Sequence, residues 1–191
     1  MIPRIRRSHG PAVVAGVMLA CCVCTCASAQ EQRQKEEPPK PCGGAPRTVL
    51  SGNGIGDLRV GASVTALRTK CSVVSDSTIE SGAEGLPERW IVVVLGHDSV
   101  QALISIDRVA RIDVRSPHFR TADGLGVGSS ARELRANSAR VLPRGEESEF
   151  EVGLPTACGL CFRLEGATGA RTWTEVPIEA TVDRVLVVGC F

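Results

Sequence analysis

The residues with the most chemistry in their spacing are Cys158-Gly-Leu-Cys161. Two thiols so placed form a redox centre when the first sits at a helix N-terminus, where the helix dipole favours a thiolate. The surrounding chain does not supply that helix. Phe162-Arg-Leu164 alternates as a strand does, Gly166 and Gly169 follow closely, and no βαβ pattern precedes the pair. The structural alternative places Cys158 or Cys161 at a strand start with one of them bonded to Cys190. Zinc needs four ligands at regular spacings, and beyond residue 29 there is neither a second close cysteine pair nor a histidine pair.

Other reactive groups are sparse. His97-Asp98-Ser99 holds the residue types of a hydrolase triad, but consecutive residues cannot take up nucleophile, base and orienter positions. A hairpin turn accounts for them. His118 follows a proline in the irregular stretch from Ser116 to Gly124. Gly52-x-Gly-x-Gly56 and Gly124-x-Gly-x-Gly128 lack both the dinucleotide spacing and a following Lys-Ser/Thr, so they read as turns. Glu146, Glu147 and Glu149 make an acidic loop without the ligand series of a calcium site. No catalytic, cofactor-binding or metal site is therefore expected. The oxidoreductase using Cys158 and Cys161 stands as the enzymatic alternative.

The compartment is legible at the N-terminus. Arg4, Arg6 and Arg7 precede a small, apolar run from Ala12 to Cys26. Ala27-Ser28-Ala29 then offers a signal-peptidase site, which makes residues 1–29 a signal peptide and Gln30 the new N-terminus. Leu19-Ala20-Cys21 partly fits the rival route, cleavage at a lipid-modified cysteine. Three of the 22 basic residues and none of the 21 acidic residues lie in this segment, so the mature chain carries 19 against 21. That balance, with no Tyr and four Phe, excludes the basic stripe and stacking platform of a nucleic-acid binder.

Export also governs the cysteines. Of nine, Cys42, Cys71, Cys158, Cys161 and Cys190 lie beyond the signal. An oxidising compartment makes these five candidates for disulfides, with an odd one left over. Residues 30–47 mix charge, Gln and Pro without an apolar face and read as a disordered linker.

The globular part carries a repeat. Leu58-Arg-Val-Gly-Ala-Ser-Val-Thr-Ala-Leu-Arg68 recurs 67 residues later as Leu125-Gly-Val-Gly-Ser-Ser-Ala-Arg-Glu-Leu-Arg135. Ser63 caps a short helix running to about Lys70, and Ser130 with Glu133 forms a capping box for a second. Strands are expected at Arg89–Leu95, Val100–Asp107 and Val109–Arg115. In the second copy they are expected at Phe150–Val152, Leu160–Leu164, an interrupted Thr172–Ile178 and Val182–Gly189. Val109–Arg115 alternates polar and apolar, as a half-wet antiparallel strand does. Trp90 and Trp173 are expected in the core beneath the helices. The fold class is α+β, with two tandem units at residues 48–121 and 122–191. Each unit is a short helix on a three- to four-stranded antiparallel sheet.

The doubled Val60-Gly61-x-Ser63 and Val127-Gly128-x-Ser130 helix starts, each followed by a meander, resemble two bacterial groups. One is the β-lactamase inhibitor protein family. The other is the small lipoprotein subunit of the β-barrel assembly machinery. The resemblance covers residues 54–190 and implies secreted or periplasmic binding rather than catalysis. In the expected α+β arrangement, the sheet face away from the helices would be available to a protein partner. No site residue is carried over from either group. Partner, oligomeric state and lipid attachment stay open at this level, and membrane contact would come only through an N-terminal lipid.

Overall fold

Ser63 starts the first helix as its sequence predicts. Its hydroxyl accepts the Ala66 N–H at 3.2 Å, and α1 runs Val64–Lys70. Ser130 caps α2, Ala131–Ala136, by accepting the Glu133 N–H, while the Glu133 carboxylate accepts the Ser130 N–H at 2.6 Å. Val64, Leu67, Ala131 and Leu134 point into the core. The computed structural model describes Cys42 and residues 49–80, 85–142 and 150–190. The expected signal segment, the expected linker apart from Cys42, and the stretch holding Glu146, Glu147 and Glu149 lie outside the described residues.

Among the described residues eleven strands accompany the helices. Three two-residue strands, β1 (Leu50–Ser51), β2 (Gly54–Ile55) and β3 (Leu58–Arg59), form a small antiparallel sheet. After α1 come β4 (Val73–Glu80), β5 (Pro87–Leu95), β6 (Asp98–Ser105) and β7 (Arg108–Val114). After α2 come β8 (Arg140–Val141), β9 (Glu151–Leu154), β10 (Ala157–Leu164) and β11 (Val182–Val187). These eight make one antiparallel sheet in the order β4-β5-β6-β7-β11-β10-β9-β8. The α+β class with mostly antiparallel strands is thus present. The expected pair of small sheets is instead a single sheet, because Val114 pairs with Val185 and Ile112 with Val187. The described residues fall within one compact unit.

The repeated motif has a definite mechanical role. Gly61 donates its N–H to Val109 O at 2.8 Å, Val109 donates to Ala62 O at 2.9 Å, and Val64 donates to Asp107 O at 3.0 Å. In the second copy Gly128 donates to Val182 O at 2.7 Å, Val182 to Ser129 O at 2.8 Å, and Ala131 to Ala180 O at 2.8 Å. Each motif therefore ties a helix start to the first residues of the last strand that follows it. Both glycines hold positive φ, 83° and 88°, where a Cβ would strain the backbone.

One face of the large sheet is dry. Ile91, Val93, Val100, Ala102, Ile112, Val114, Phe162, Val185 and Val187 cluster with the apolar residues of both helices. Each such aliphatic side chain stabilises the fold by about 1.5–3 kcal/mol relative to exposure. Aliphatic side chains dominate this core because the chain offers so few aromatic ones.

Several local expectations change. β4 is a full strand where no strand is expected, because it lies at the sheet edge with nearly every residue exposed and so lacks a buried face to alternate against. Thr172–Ile178 holds no strand. Trp173–Glu175 is a 3₁₀ turn, stabilised by the Trp173 indole N–H donating to Ala139 O at 3.0 Å and by Arg135 donating to Trp173 O. Pro177 lacks the N–H that a ladder would use. Cys42, placed within the linker by composition, is buried.

The chain's N-terminal and C-terminal parts meet at glycines. Gly52 packs so closely on Cys158 that a Cβ there would sit 1.6 Å from the Cys158 carbonyl oxygen. Gly159 adopts φ 74°, and a Cβ on it would lie 2.4 Å from Gly52 O and 2.6 Å from the Gly189 carbonyl carbon. Gly159→Ala combines left-handed strain with backbone overlap. It is expected to lower unfolding stability by roughly 2–4 kcal/mol, read from the urea midpoint of the oxidised protein. An unchanged midpoint would contradict this packing.

Asp76 on β4 links edge strand, neighbour and helix. Arg89 grips it in bidentate fashion at 2.8 and 2.9 Å, and Arg68 of α1 bonds to the same carboxylate. The hydrogen bonds from Arg89 are the main cause that pulls the carboxyl down to about 2, against a smaller burial effect, with Arg68 adding to the fall. A depressed folded-state value contributes stability above the unfolded carboxyl value of about 4, and that contribution disappears as pH falls toward 2. Denaturant titrations across this window should show a shallower acid loss in Asp76→Asn than in the wild type. Equal slopes would rule out the linkage.

Candidate functional site

Among the described residues the five cysteines separate into two bridges and one thiol. Cys42 bonds to Cys71, closing 29 residues of sequence, and Cys158 bonds to Cys190, closing 32. Cys161 is a half-buried thiol on β10. The Cys158–Cys161 pair of the oxidoreductase alternative is thus not a dithiol. Cys158 is engaged with Cys190, and both Cys158 and Cys161 lie within a strand rather than at a helix start. Burial, assisted by the Glu151 carboxylate, pushes the Cys161 thiol up to about 11. Both effects penalise a thiolate, the reverse of what a nucleophilic cysteine needs.

A histidine and a serine do meet at Asp98 in space, but they are His118 and Ser116 rather than its sequence neighbours His97 and Ser99. Asp98 Oδ2 lies 2.9 Å from His118 Nδ1, and Ser116 Oγ donates to Asp98 Oδ1 at 2.8 Å. The carboxylate is the hub, and Ser116 approaches the same ring nitrogen, Nδ1, that faces Asp98. A triad needs the hydroxyl at the opposite ring nitrogen. Ser116 Oγ also accepts the His118 backbone N–H at 3.2 Å, so the cluster shapes a turn. Among the described residues no group of His, Cys, Asp or Glu could hold a metal ion.

The remaining feature is the second face of the large sheet. Directly opposed residues on antiparallel strands share a face. Val92, Gln101, Asp113, Leu186 and Cys161 are successive partners across β5, β6, β7, β11 and β10. A groove of ~370 Å³ crosses the first part of this face, between Ser75, Ser77 and Ile79 on β4 and Arg184 on β11. Trp90, Val92, Gln101 and Arg111 form its floor and walls, with Glu88, Asp113 and Arg115. The alternation from Arg111 to Arg115 places both of these arginines here. At the strand start the expected sides are exchanged, with Val109 buried and Ala110 exposed, because the register with β6 shifts between Leu103 and Ile104.

The polar groups in the groove hold one another. Asp113 is buried and receives Arg111 Nε at 2.8 Å, with Arg184 Nη1 3.5 Å away. Fixed in that way, the Arg111 guanidinium lies 5.3 Å from the centre of the Trp90 ring. The Trp90 indole N–H donates to Glu88 at 3.0 Å. Trp90 thus lies half-buried on the open face, not beneath α1. Its place follows from strand parity, since Ile91 and Val93 take the dry face. Trp173 does pack on the core, with its ring 5.5 Å from Phe150 in an edge-on contact. On the neighbouring strands, Arg163 and Asp183 add a second ion pair, with Nε–O distances of 3.0 and 3.1 Å.

No family model and no curated protein matches this chain. Among solved structures the chain is similar to YfeY of Escherichia coli, titled an uncharacterized protein, with a TM-score of 0.51 at 14% identity. The match covers 72% of this chain and 97% of that one. At this identity the likeness is one of fold. Two disulfides fit an exported protein. Among the described residues no helix is long and apolar enough to cross a membrane.

The state of Cys161 has a direct readout. With a thiol value of about 11, about one molecule in a thousand carries a thiolate at pH 8. Alkylation of the native, oxidised protein should therefore run at least ~100-fold slower than that of a free cysteine. Unfolding a chain that begins at Gln30 in denaturant without reductant should release a single fast-reacting thiol. Rapid labelling of the native protein, or three thiols after unfolding, would contradict this assignment.

Proposed function

We propose that the chain is an exported, non-catalytic binding module that receives a segment of another protein in the groove on its open sheet face. The observation that carries this reading is Trp90, half-exposed in a groove beside Arg111. Tryptophan and arginine are the side chains most enriched where single residues dominate binding energy. Asp113 holds Arg111 in place before any partner arrives, which reduces the side-chain entropy lost on binding. Arg115 makes no ion pair among the described residues and adds a free positive charge at the groove wall.

Two further readings belong with this one. The three matching backbone bonds at Gly61 and Gly128 support a duplicated unit of one helix followed by four strands. Such a duplication agrees with the resemblance to the β-lactamase inhibitor proteins and to the small assembly lipoprotein. Periplasmic or secreted placement is supported by the N-terminal signal pattern together with the two bridges. A structural envelope role without a dedicated partner is the competing reading.

Photo-crosslinking in the producing cell tests the proposal. A crosslinking residue at Gln101, inside the groove, should give one discrete adduct. The same probe at Thr65, on the exposed side of α1, should give none. Trp90→Ala should weaken the Gln101 adduct roughly tenfold or more. Equal adducts at both positions, or an adduct indifferent to Trp90→Ala, would remove the groove as the binding surface.

A further inference from the structure

The two edges of the large sheet are unlike. One ends in β8, only two residues long, which is among the usual ways of blunting an edge. The other ends in β4, eight residues long, paired with β5 on one side and with no described strand on the other. An unpaired strand edge presents a row of backbone donors and acceptors to any other strand. Proteins usually guard such an edge with Lys, Pro or a bulge. β4 contains neither Lys nor Pro, and its bulge, between Val73 and Ser75, leaves Ser75–Glu80 regular.

The edge is also close to neutral and partly apolar. Asp76 is compensated by Arg89 and Arg68, which leaves Glu80 at the strand end as the remaining charge of β4. Val74 and Ile79 are more than half exposed. Ser75, Ser77 and Ile79 all line the open face, so β4 keeps a fixed parity across this stretch.

We infer that β4 is a self-association edge, on which β4 of a second copy adds antiparallel about a two-fold axis at Ser77. Parity, charge and the bulge between Val73 and Ser75 together select this register. Opposed residues must share a face, so the axis passes through a residue rather than between two. Centred on Ser77, the pairing sets Ser77 against its own counterpart, Ser75 against Ile79, and Asp76 against Thr78. Centred on Asp76, it would oppose two carboxylates, which disfavours pairing. The inference concerns the strand edge and a second copy of the chain. It holds whether or not the groove binds another protein.

Sedimentation equilibrium of the exported, oxidised chain tests it. The wild type should show a concentration-dependent dimer. Ser77→Lys and Ser77→Glu each place like charges opposite one another at the axis, so each alone should raise the dissociation constant roughly fivefold or more. An equimolar mixture of the two should restore dimerisation as a mixed pair, which a merely misfolded variant could not do. A wild type that stays monomeric at its highest soluble concentration would overturn the inference. So would an undiminished dimer in Ser77→Lys, or a mixture that stays monomeric.

Discussion

The backbone clamp between a helix start and a following strand is the constraint on which the rest of this structure depends. At Gly61–Val64 and again at Gly128–Ala131, the chain exchanges hydrogen bonds with residues 107–109 and 180–182. Each clamp fixes where a short helix enters the sheet and therefore which strand faces it covers. Helices of seven and six residues are too short to be stable on their own. The serine caps and clamps, together with burial of Val64, Leu67, Ala131 and Leu134, hold them in place. The strands that receive the clamps, β7 and β11, are also the two that pair at the middle of the sheet.

That central pairing gives the sheet two contrasting faces. The dry face is aliphatic and shielded by the helices. The open face gathers arginines and carboxylates from β5, β7, β10 and β11 around a single tryptophan. Buried charges are costly unless paired, and Asp113 is paired by Arg111 on its own strand and by Arg184 on neighbouring β11. The same bonds orient Arg111 over Trp90. One set of contacts therefore serves both burial and orientation, with the carboxylate positioning the cation and the cation lying over the ring.

The disulfides secure the periphery. Cys42–Cys71 fastens the approach to the fold at the end of α1. Cys158–Cys190 fastens the C-terminal segment to β10, against which Gly52 packs. Loops of 29 and 32 residues correspond to roughly 3–4 kcal/mol of stabilisation each in a chain-entropy account. The C-terminal bridge also removes the redox pair that the Cys158–Cys161 spacing alone suggests.

Local signals were readable from the residues themselves. Ser63 and Ser130 as caps, the Ser130–Glu133 box, and strands at β5, β7 and β11 all follow from propensity and periodicity, which act over a few residues. The α+β class follows from their order. What needed the tertiary structure was anything set by partners distant in sequence. The edge strand β4 carries no alternation because nearly all of its residues are exposed and none of the described strands pairs with its outer edge. The 3₁₀ turn at Trp173 depends on Arg135 and on Ala139 O, more than 30 residues away. The joining of eight strands in one sheet rests on β7 meeting β11. Cys158 chose Cys190 over Cys161 because the two chain segments lie side by side with their Cα atoms 5.4 Å apart. Trp90 came to the open face through strand register, which decides for every residue on β5 at once which side meets the core and which meets water.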